Sequence, residues 1–139
     1  NFLSVLQYAV DVLEVKQIIV CGHHGCGGVR AALSHQALGL IDNWLRAIKA
    51  LYHQSLPLFE GLEGEDRVNL LCELNVMRQV RNVCHTTIVQ NAWARGQELA
   101  VHGWIYGLQD GLIKDLETSL HCPQQLDETF LYDAWMQEP

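Results

Sequence analysis

The chain has 139 residues, of which 49% are hydrophobic and 18% charged. This balance is typical of a globular protein with a substantial core and excludes a disordered chain, so we expect one domain over residues 1–139. The formal net charge is −7 and the nine Lys and Arg residues are scattered, which argues against a nucleic-acid partner. No apolar run is long enough to span a bilayer, so no membrane partner is expected.

The first half of the chain alternates helical and strand-like patterns. Residues 1–14 place apolar side chains at helical spacing and predict an amphipathic helix. Residues 16–21 are rich in β-branched side chains and predict a buried, parallel strand. A glycine-rich turn follows, and residues 29–33 indicate the start of a helix. Residues 38–54 are strongly helical in pattern, and the loop predicted over 55–66 contains one Pro and two Gly residues.

The second half continues the same alternation. Two helices are predicted within residues 67–97, a second strand over 98–106 and a third over 112–116. Pro123 opens a predicted last helix that includes Trp135. The order of elements is typical of an α/β domain with a mostly parallel central sheet flanked by helices. Because two parallel strands are few for such a sheet, we expect an N-terminal part of the domain to be missing.

The turn after the first strand holds a His and a Cys three positions apart among four glycines, in Cys21-Gly-His-His-Gly-Cys-Gly-Gly-Val29. An imidazole and a thiolate that converge at the end of a strand suit zinc. The segment resembles the zinc signature of the β-class carbonic anhydrases. Glu73-Leu-Asn-Val76 and His102-Gly-Trp-Ile-Tyr-Gly107 resemble later motifs of the same family, in the same order.

The resemblance implies that His23 and Cys26 are ligands of one zinc ion per chain. The family's third protein ligand lies in a Cys-x-Asp-x-Arg motif, which this sequence lacks. The Asp and Arg that orient the family's site belong to that motif, so no catalytic residue is expected within the chain. The resemblance implies reversible hydration of carbon dioxide to bicarbonate and a proton by zinc-bound hydroxide. It also implies a homodimer or homotetramer, and the 139 residues alone are expected to be inactive.

Tyr106 has two interpretations. It is an aromatic on a half-buried strand whose hydroxyl finds a partner, or it serves the regulatory bicarbonate site that the resemblance implies for one branch of the family. His24 is expected to face solvent, with proton relay as the alternative. Cys21, Cys72 and Cys84 are expected in the core.

The five cysteines are odd in number and lack the spacing of a disulfide framework. They therefore predict a reducing compartment and a cytoplasmic location. Two alternatives to the enzyme stay open: a non-catalytic relative that binds zinc or bicarbonate, and a nucleotide-binding module built on the glycine-rich turn. The turn matches neither G-x-G-x-x-G nor G-x-x-x-x-G-K-[ST], which disfavours the second.

Overall fold

The computed structural model describes residues 1–132. Three strands, five α-helices and several short helical turns alternate along the chain, which confirms the predicted α/β class. The elements are α1 (Phe2–Gln7) with a π-helical continuation (Tyr8–Val12), β1 (Gln17–His23), α2 (Gly27–Leu33), α3 (Ile41–Gln54), a 3₁₀ turn (Leu56–Phe59), α4 (Gly64–Cys84), α5 (Thr87–Ala94), β2 (Ala100–Tyr106), β3 (Ile113–Leu120) and two 3₁₀ turns (Pro123–Gln125 and Glu128–Phe130).

The described sheet is mixed, with its strands hydrogen-bonded in the order β1-β2-β3. The Ala100 N–H donates to the Lys16 carbonyl at 2.9 Å, and the His24 N–H donates to the Tyr106 carbonyl at 3.0 Å. Both strands therefore advance in the same direction, and the connection between them contains α2 to α5, as a parallel crossover requires. A short turn joins β2 to β3, so that pair is antiparallel.

Two predicted elements differ from the structure. The third strand runs to Leu120 instead of ending at residue 116. The last helix predicted from Pro123 is wrong, because a 3₁₀ turn ends at Leu126 in an extended conformation (φ −94°, ψ 159°) and Asp127 then caps a second short turn. Trp135, which that prediction included, lies outside the described residues.

Contacts group the described residues into two compact units. The first contains Asn1–Val20, Arg78–Gly103 and the described residues from Glu117 onward, and the second contains Cys21–Met77 and Trp104–Leu116. A single domain over the whole chain stays a prediction. Among the described residues, no helix has both the length and the apolar character that crossing a bilayer requires.

In the first unit, α1 contributes only part of its predicted apolar face to a core. Leu6 and Val10 are buried and belong to a cluster with residues of α4, α5, β2 and β3, whereas Phe2, Leu3 and Leu13 are 61%, 56% and 59% exposed. In the second unit, α2 packs against α3. The second unit also contains the glycine-rich turn between β1 and α2.

Candidate metal centre

The turn His23–Cys26 is shaped by two glycines. A Cβ atom at Gly22 would lie 2.5 Å from Cγ2 of Val76 on α4 and 3.2 Å from Cδ1 of Ile105 on β2, so only glycine lets β1 approach both neighbours here. Gly25 has φ +67°, a left-handed conformation that glycine adopts without strain. Gly22 thus allows close packing at the end of β1, and Gly25 supplies the left-handed residue of the turn.

His23 has the hydrogen bond that a metal-ligating histidine needs. Its Nδ1 atom lies 2.9 Å from the carbonyl oxygen of His24, and because a carbonyl only accepts, Nδ1 carries the proton. This tautomer leaves a lone pair on Nε2, the arrangement found when histidine binds a metal through that atom. Cys26 is half-buried, has a free thiol and directly precedes α2.

An imidazole and a thiolate from one turn fit the ligand set of zinc. Two protein ligands are one fewer than a catalytic zinc site has. Within residues 1–132, no group of three or more His, Cys, Asp or Glu side chains is placed to hold a metal ion.

The turn His23–Cys26 is held from α4 by two side chains. The Gly25 N–H donates to Oδ1 of Asn69 at 2.9 Å, and Nε2 of His24 donates to Oε1 of Glu73, also at 2.9 Å. The His24 imidazole is 31% exposed, so the ring is half-buried and reaches solvent over part of its surface. The reason is the carboxylate of Glu73, which offers this ring a charged partner.

Glu73 receives a second hydrogen bond, from Nζ of Lys114 on β3 at 3.1 Å, and its side chain is only 18% exposed. Burial raises the pKa of the Glu73 carboxyl, but the hydrogen bonds from His24 and Lys114 and their charges outweigh this, and the pKa lies below its usual value. Glu73 therefore stays ionised and remains an acceptor for His24.

The cysteines divide by exposure. Cys72 and Cys84 are 3% and 0% exposed, which confirms the core prediction for both. Burial raises the pKa of the Cys72 thiol and outweighs the opposing hydrogen bond with the Cys26 backbone. Burial also raises the pKa of the Cys84 thiol, to about 12. Cys21 is exposed, so its core prediction is wrong. Exposure alternates along β1, and Cys21 falls on the exposed side of that alternation.

Tyr106 lies at the end of β2 and is 37% exposed. Its hydroxyl oxygen is 3.7 Å from the position that a Cβ at Gly111 would take, so the side chain lies over the turn between β2 and β3. A cavity of about 220 Å³ opens beside the turn His23–Cys26 and is lined by His24, Gly25, Glu65, Asn69 and the residues 107–110, whereas His23 and Cys26 are not among its described lining residues. This cavity gives small molecules and water access to the turn.

Sequence reasoning missed Asn69 and Lys114. The family resemblance singled out Glu73 only as part of a motif and assigned it no partner. The available signal was the spacing of Asn69 and Glu73, four residues apart in a predicted helix, which places both on one face. No sequence signal linked Lys114 to that face.

Comparison with known families gives one matching family model, described as Carbonic anhydrase, over residues 1–113. A carbonic anhydrase from Emericella nidulans is 44% identical over 115 residues, which cover 82% of this chain and 50% of that protein. A carbonic anhydrase from Synechocystis is 32% identical over 122 residues, which cover 85% of this chain and 44% of that protein. The chain thus spans about half the length of these relatives.

Solved structures give the same result. The Coccomyxa β-carbonic anhydrase in complex with acetazolamide matches with a TM-score of 0.84 at 38% identity, over 90% of this chain and 57% of that one. A tetrameric β-carbonic anhydrase from Sordaria macrospora matches with a TM-score of 0.79 at 32% identity, over 86% of this chain and 61% of that one. The similarity therefore extends from sequence to fold.

Proposed function

This chain belongs to the β-class carbonic anhydrases, and we propose that the intact protein catalyses the reversible hydration of carbon dioxide to bicarbonate and a proton with one zinc ion per chain. We assign Nε2 of His23 and Sγ of Cys26 as two zinc ligands. The observation that carries this assignment is the hydrogen bond from Nδ1 of His23 to the His24 carbonyl, because it leaves Nε2 free to bind. The third ligand comes from a Cys-x-Asp-x-Arg motif outside these 139 residues.

When bound, zinc would lower the pKa of its coordinated water to about 7. The residues of this chain prepare the site around it. Asn69 and Glu73 fix the backbone and the His24 ring of the turn His23–Cys26, so that the two ligands need little rearrangement on binding. The adjacent cavity of about 220 Å³ has room for a molecule as small as carbon dioxide and for several waters.

Assembly and regulation extend the proposal. One similar structure is described as tetrameric, and we assign a homodimer or homotetramer to the intact protein. Tyr106 is assigned to a regulatory bicarbonate site, since its hydroxyl is attached to a partly exposed ring at a strand end.

The experiment uses the intact protein and measures zinc per chain by plasma emission together with carbon dioxide hydration by stopped flow. We expect one zinc per chain and hydration activity in the wild type, and loss of both in Cys26→Ala. The matched control is Cys21→Ala, which removes an exposed thiol at the start of the same glycine-rich segment and is expected to keep zinc and activity.

Each other outcome has a defined meaning. A Cys26→Ala protein that retains one zinc per chain rules out the ligand assignment. A wild-type protein with stoichiometric zinc and no hydration activity indicates the non-catalytic zinc-binding relative instead of the enzyme.

A further inference from the structure

The second unit contains a larger cavity, of about 560 Å³, to which neither His23 nor Cys26 contributes. Its walls come from the end of α2, the second half of α3 and the first turn of α4. This volume lies within the range of about 300–1,000 Å³ that is usual for small-molecule sites. Ala32, Leu33, Leu56 and Val68 give the cavity an apolar surface.

The ionisable side chains that line this cavity are Lys49, Arg67, His35, His53 and Tyr52, and no Asp or Glu is among its described lining residues. The chain as a whole has 16 acidic residues against nine Lys and Arg, whereas the described charged residues of this cavity are cationic. Across residues 1–132, no carboxylate forms an ion pair with Lys49 or Arg67. Both positive charges therefore remain available to a ligand.

Glu65 lies two residues before Arg67, and its carboxylate is already paired with Arg30. Its two carboxylate oxygens accept hydrogen bonds from Nη1 and Nη2 of Arg30 at 2.7 Å and 2.9 Å. The hydrogen bond from Arg30 lowers the pKa of the Glu65 carboxyl and raises that of the guanidinium. Glu65 thus has its own cation, and Asp66, the residue before Arg67, forms no ion pair with it within residues 1–132.

Arg67 is held in place before any ligand binds. Its guanidinium donates to the hydroxyl of Tyr52, and its Cζ atom lies 5.3 Å from the centre of the same ring. The Tyr52 ring packs edge-on against Phe59, which is 4% exposed, with 4.8 Å between ring centroids. The Tyr52 hydroxyl accepts from Arg67 and keeps its own proton to donate.

A guanidinium offers five N–H donors in a planar fork that matches two oxygens of a carboxylate or phosphate. One donor of Arg67 is used by Tyr52, which leaves the others for a ligand. The half-buried Lys49 adds a second positive charge in the same cavity. These groups select an anion with several oxygens over a neutral molecule.

We propose that this cavity binds a small organic anion, whose carboxylate or phosphate group contacts Arg67, Lys49 and the Tyr52 hydroxyl. The organic part contacts the apolar wall formed by Ala32, Leu33, Leu56 and Val68. A bare inorganic anion would fill only a minor part of about 560 Å³ and would leave that wall unused. This site is independent of the proposed hydration activity.

The test titrates the intact protein with citrate, glycerol 3-phosphate and inorganic phosphate by calorimetry at low ionic strength. We expect citrate or glycerol 3-phosphate to bind more tightly than inorganic phosphate. Binding of citrate alone identifies a carboxylate site, and binding of glycerol 3-phosphate alone identifies a phosphate site. No binding of either organic anion, or equal affinity for inorganic phosphate, overturns the proposal.

Variants locate the binding. Lys49→Met and Arg67→Met should each weaken binding by about tenfold or more, the effect of losing one charge-assisted hydrogen bond. The matched control is Arg46→Met, which removes an equal charge on α3 from a residue that does not line the cavity and should change the affinity less than about twofold. Lys49→Met keeps the test valid if Arg67→Met fails to fold. Equal weakening by Arg46→Met and Lys49→Met contradicts the proposal.

Discussion

Asn69 and Glu73 lie one helical turn apart on α4 and bind consecutive residues of the turn His23–Cys26. Asn69 accepts the Gly25 N–H, and Glu73 accepts from the His24 ring, each at 2.9 Å. A rigid helix thereby fixes a segment that has few side chains of its own to pack. The ligands proposed for zinc flank the two residues that α4 holds.

The first prediction concerns metal affinity. Asn69→Ala removes the acceptor for the Gly25 N–H, and we expect zinc to bind the intact protein about 10–100-fold more weakly, as is usual when a group that orients a metal ligand is lost. The measurement is competition with a chromogenic chelator. Asn82→Ala is the matched control, because Asn82 lies on the same helix and its amide donates, among the described residues, to Gln79 at 3.0 Å. Wild-type affinity in Asn69→Ala would show that this hydrogen bond does not organise the site.

The second prediction concerns the close approach at Gly22. Gly22→Ala places a methyl group 2.5 Å from Cγ2 of Val76, so the neighbours must shift, at a cost of about 1–3 kcal/mol in the free energy of unfolding. Urea titration of the intact protein measures this. Gly27→Ala is the control, since nothing lies within 4 Å of a Cβ at that position and its stability should not fall. Equal stability of the two variants would contradict the packing argument.

The sequence was sufficient for the elements whose patterns are locally determined. The β-branched run before Gly22 predicted the strand β1, but the burial expected for it is wrong, because its residues are exposed or half-buried. The helical spacing of apolar residues predicted α3, because burial on one face imposes that spacing. The metal ligands were predicted from spacing and family resemblance together, and their assignment stays a proposal. Family resemblance was needed because a His and a Cys three residues apart are a weak signal alone.

Other features depended on contacts between distant segments. Cys21 is exposed because of the alternation along β1, and His24 is partly buried because Glu73, 49 residues away, reaches its ring. The prediction of a final helix was wrong because the Asp127 side chain caps a new short turn. Such side-chain hydrogen bonds compete with helix formation, and the spacing of apolar residues does not reveal them. The cavity proposed to bind an anion was not predicted, because Lys49 and Arg67 lie on different helices and the sequence does not show that these helices bring them together.

The third prediction concerns the pH dependence of stability. The pKa of Glu73 is lower in the folded protein than its usual value, so its stabilising contribution is present above the unfolded pKa of about 4.3 and is lost as the pH falls through the folded pKa. The free energy of unfolding should therefore fall less between pH 6 and pH 3 in Glu73→Gln than in the wild type.

Denaturant titration across that range measures the effect. Glu60→Gln is the control, because Glu60 is exposed and forms no ion pair within the described residues. This variant should follow the wild type. A Glu73→Gln profile parallel to the wild type would show that the hydrogen bonds from His24 and Lys114 contribute no acid sensitivity.

The fourth prediction concerns regulation through Tyr106. Tyr106→Phe keeps the ring and removes only the hydroxyl, so the fold should be retained, as circular dichroism can check. If the hydroxyl serves a bicarbonate site, inhibition of hydration by high bicarbonate at lower pH should weaken. Tyr8→Phe, which removes an exposed hydroxyl from the π-helical turn, should leave inhibition unchanged. Unchanged inhibition in Tyr106→Phe would assign Tyr106 a structural role.

The last prediction concerns residues 1–139 made alone. Phe2, Val5 and Val12 are 61%, 68% and 61% exposed, and burying one such side chain contributes about 1.5–3 kcal/mol. Leaving several of them in water is a large loss against a total stability of about 5–15 kcal/mol. Because these side chains are exposed, this polypeptide should self-associate. Because it has only two of the three proposed zinc ligands, it should bind zinc weakly and show no hydration activity. Sedimentation, chelator competition and stopped flow measure these three properties.

Two comparisons separate the causes. The variant Phe2→Gln with Val5→Gln should reduce self-association of the 139-residue polypeptide and leave its weak zinc binding unchanged, because the exposed face and the turn His23–Cys26 are different features. An intact protein that carries the proposed third ligand should bind zinc tightly and be active. A monodisperse 139-residue polypeptide with stoichiometric zinc and full activity would show that two protein ligands suffice, and the proposed zinc site would be wrong.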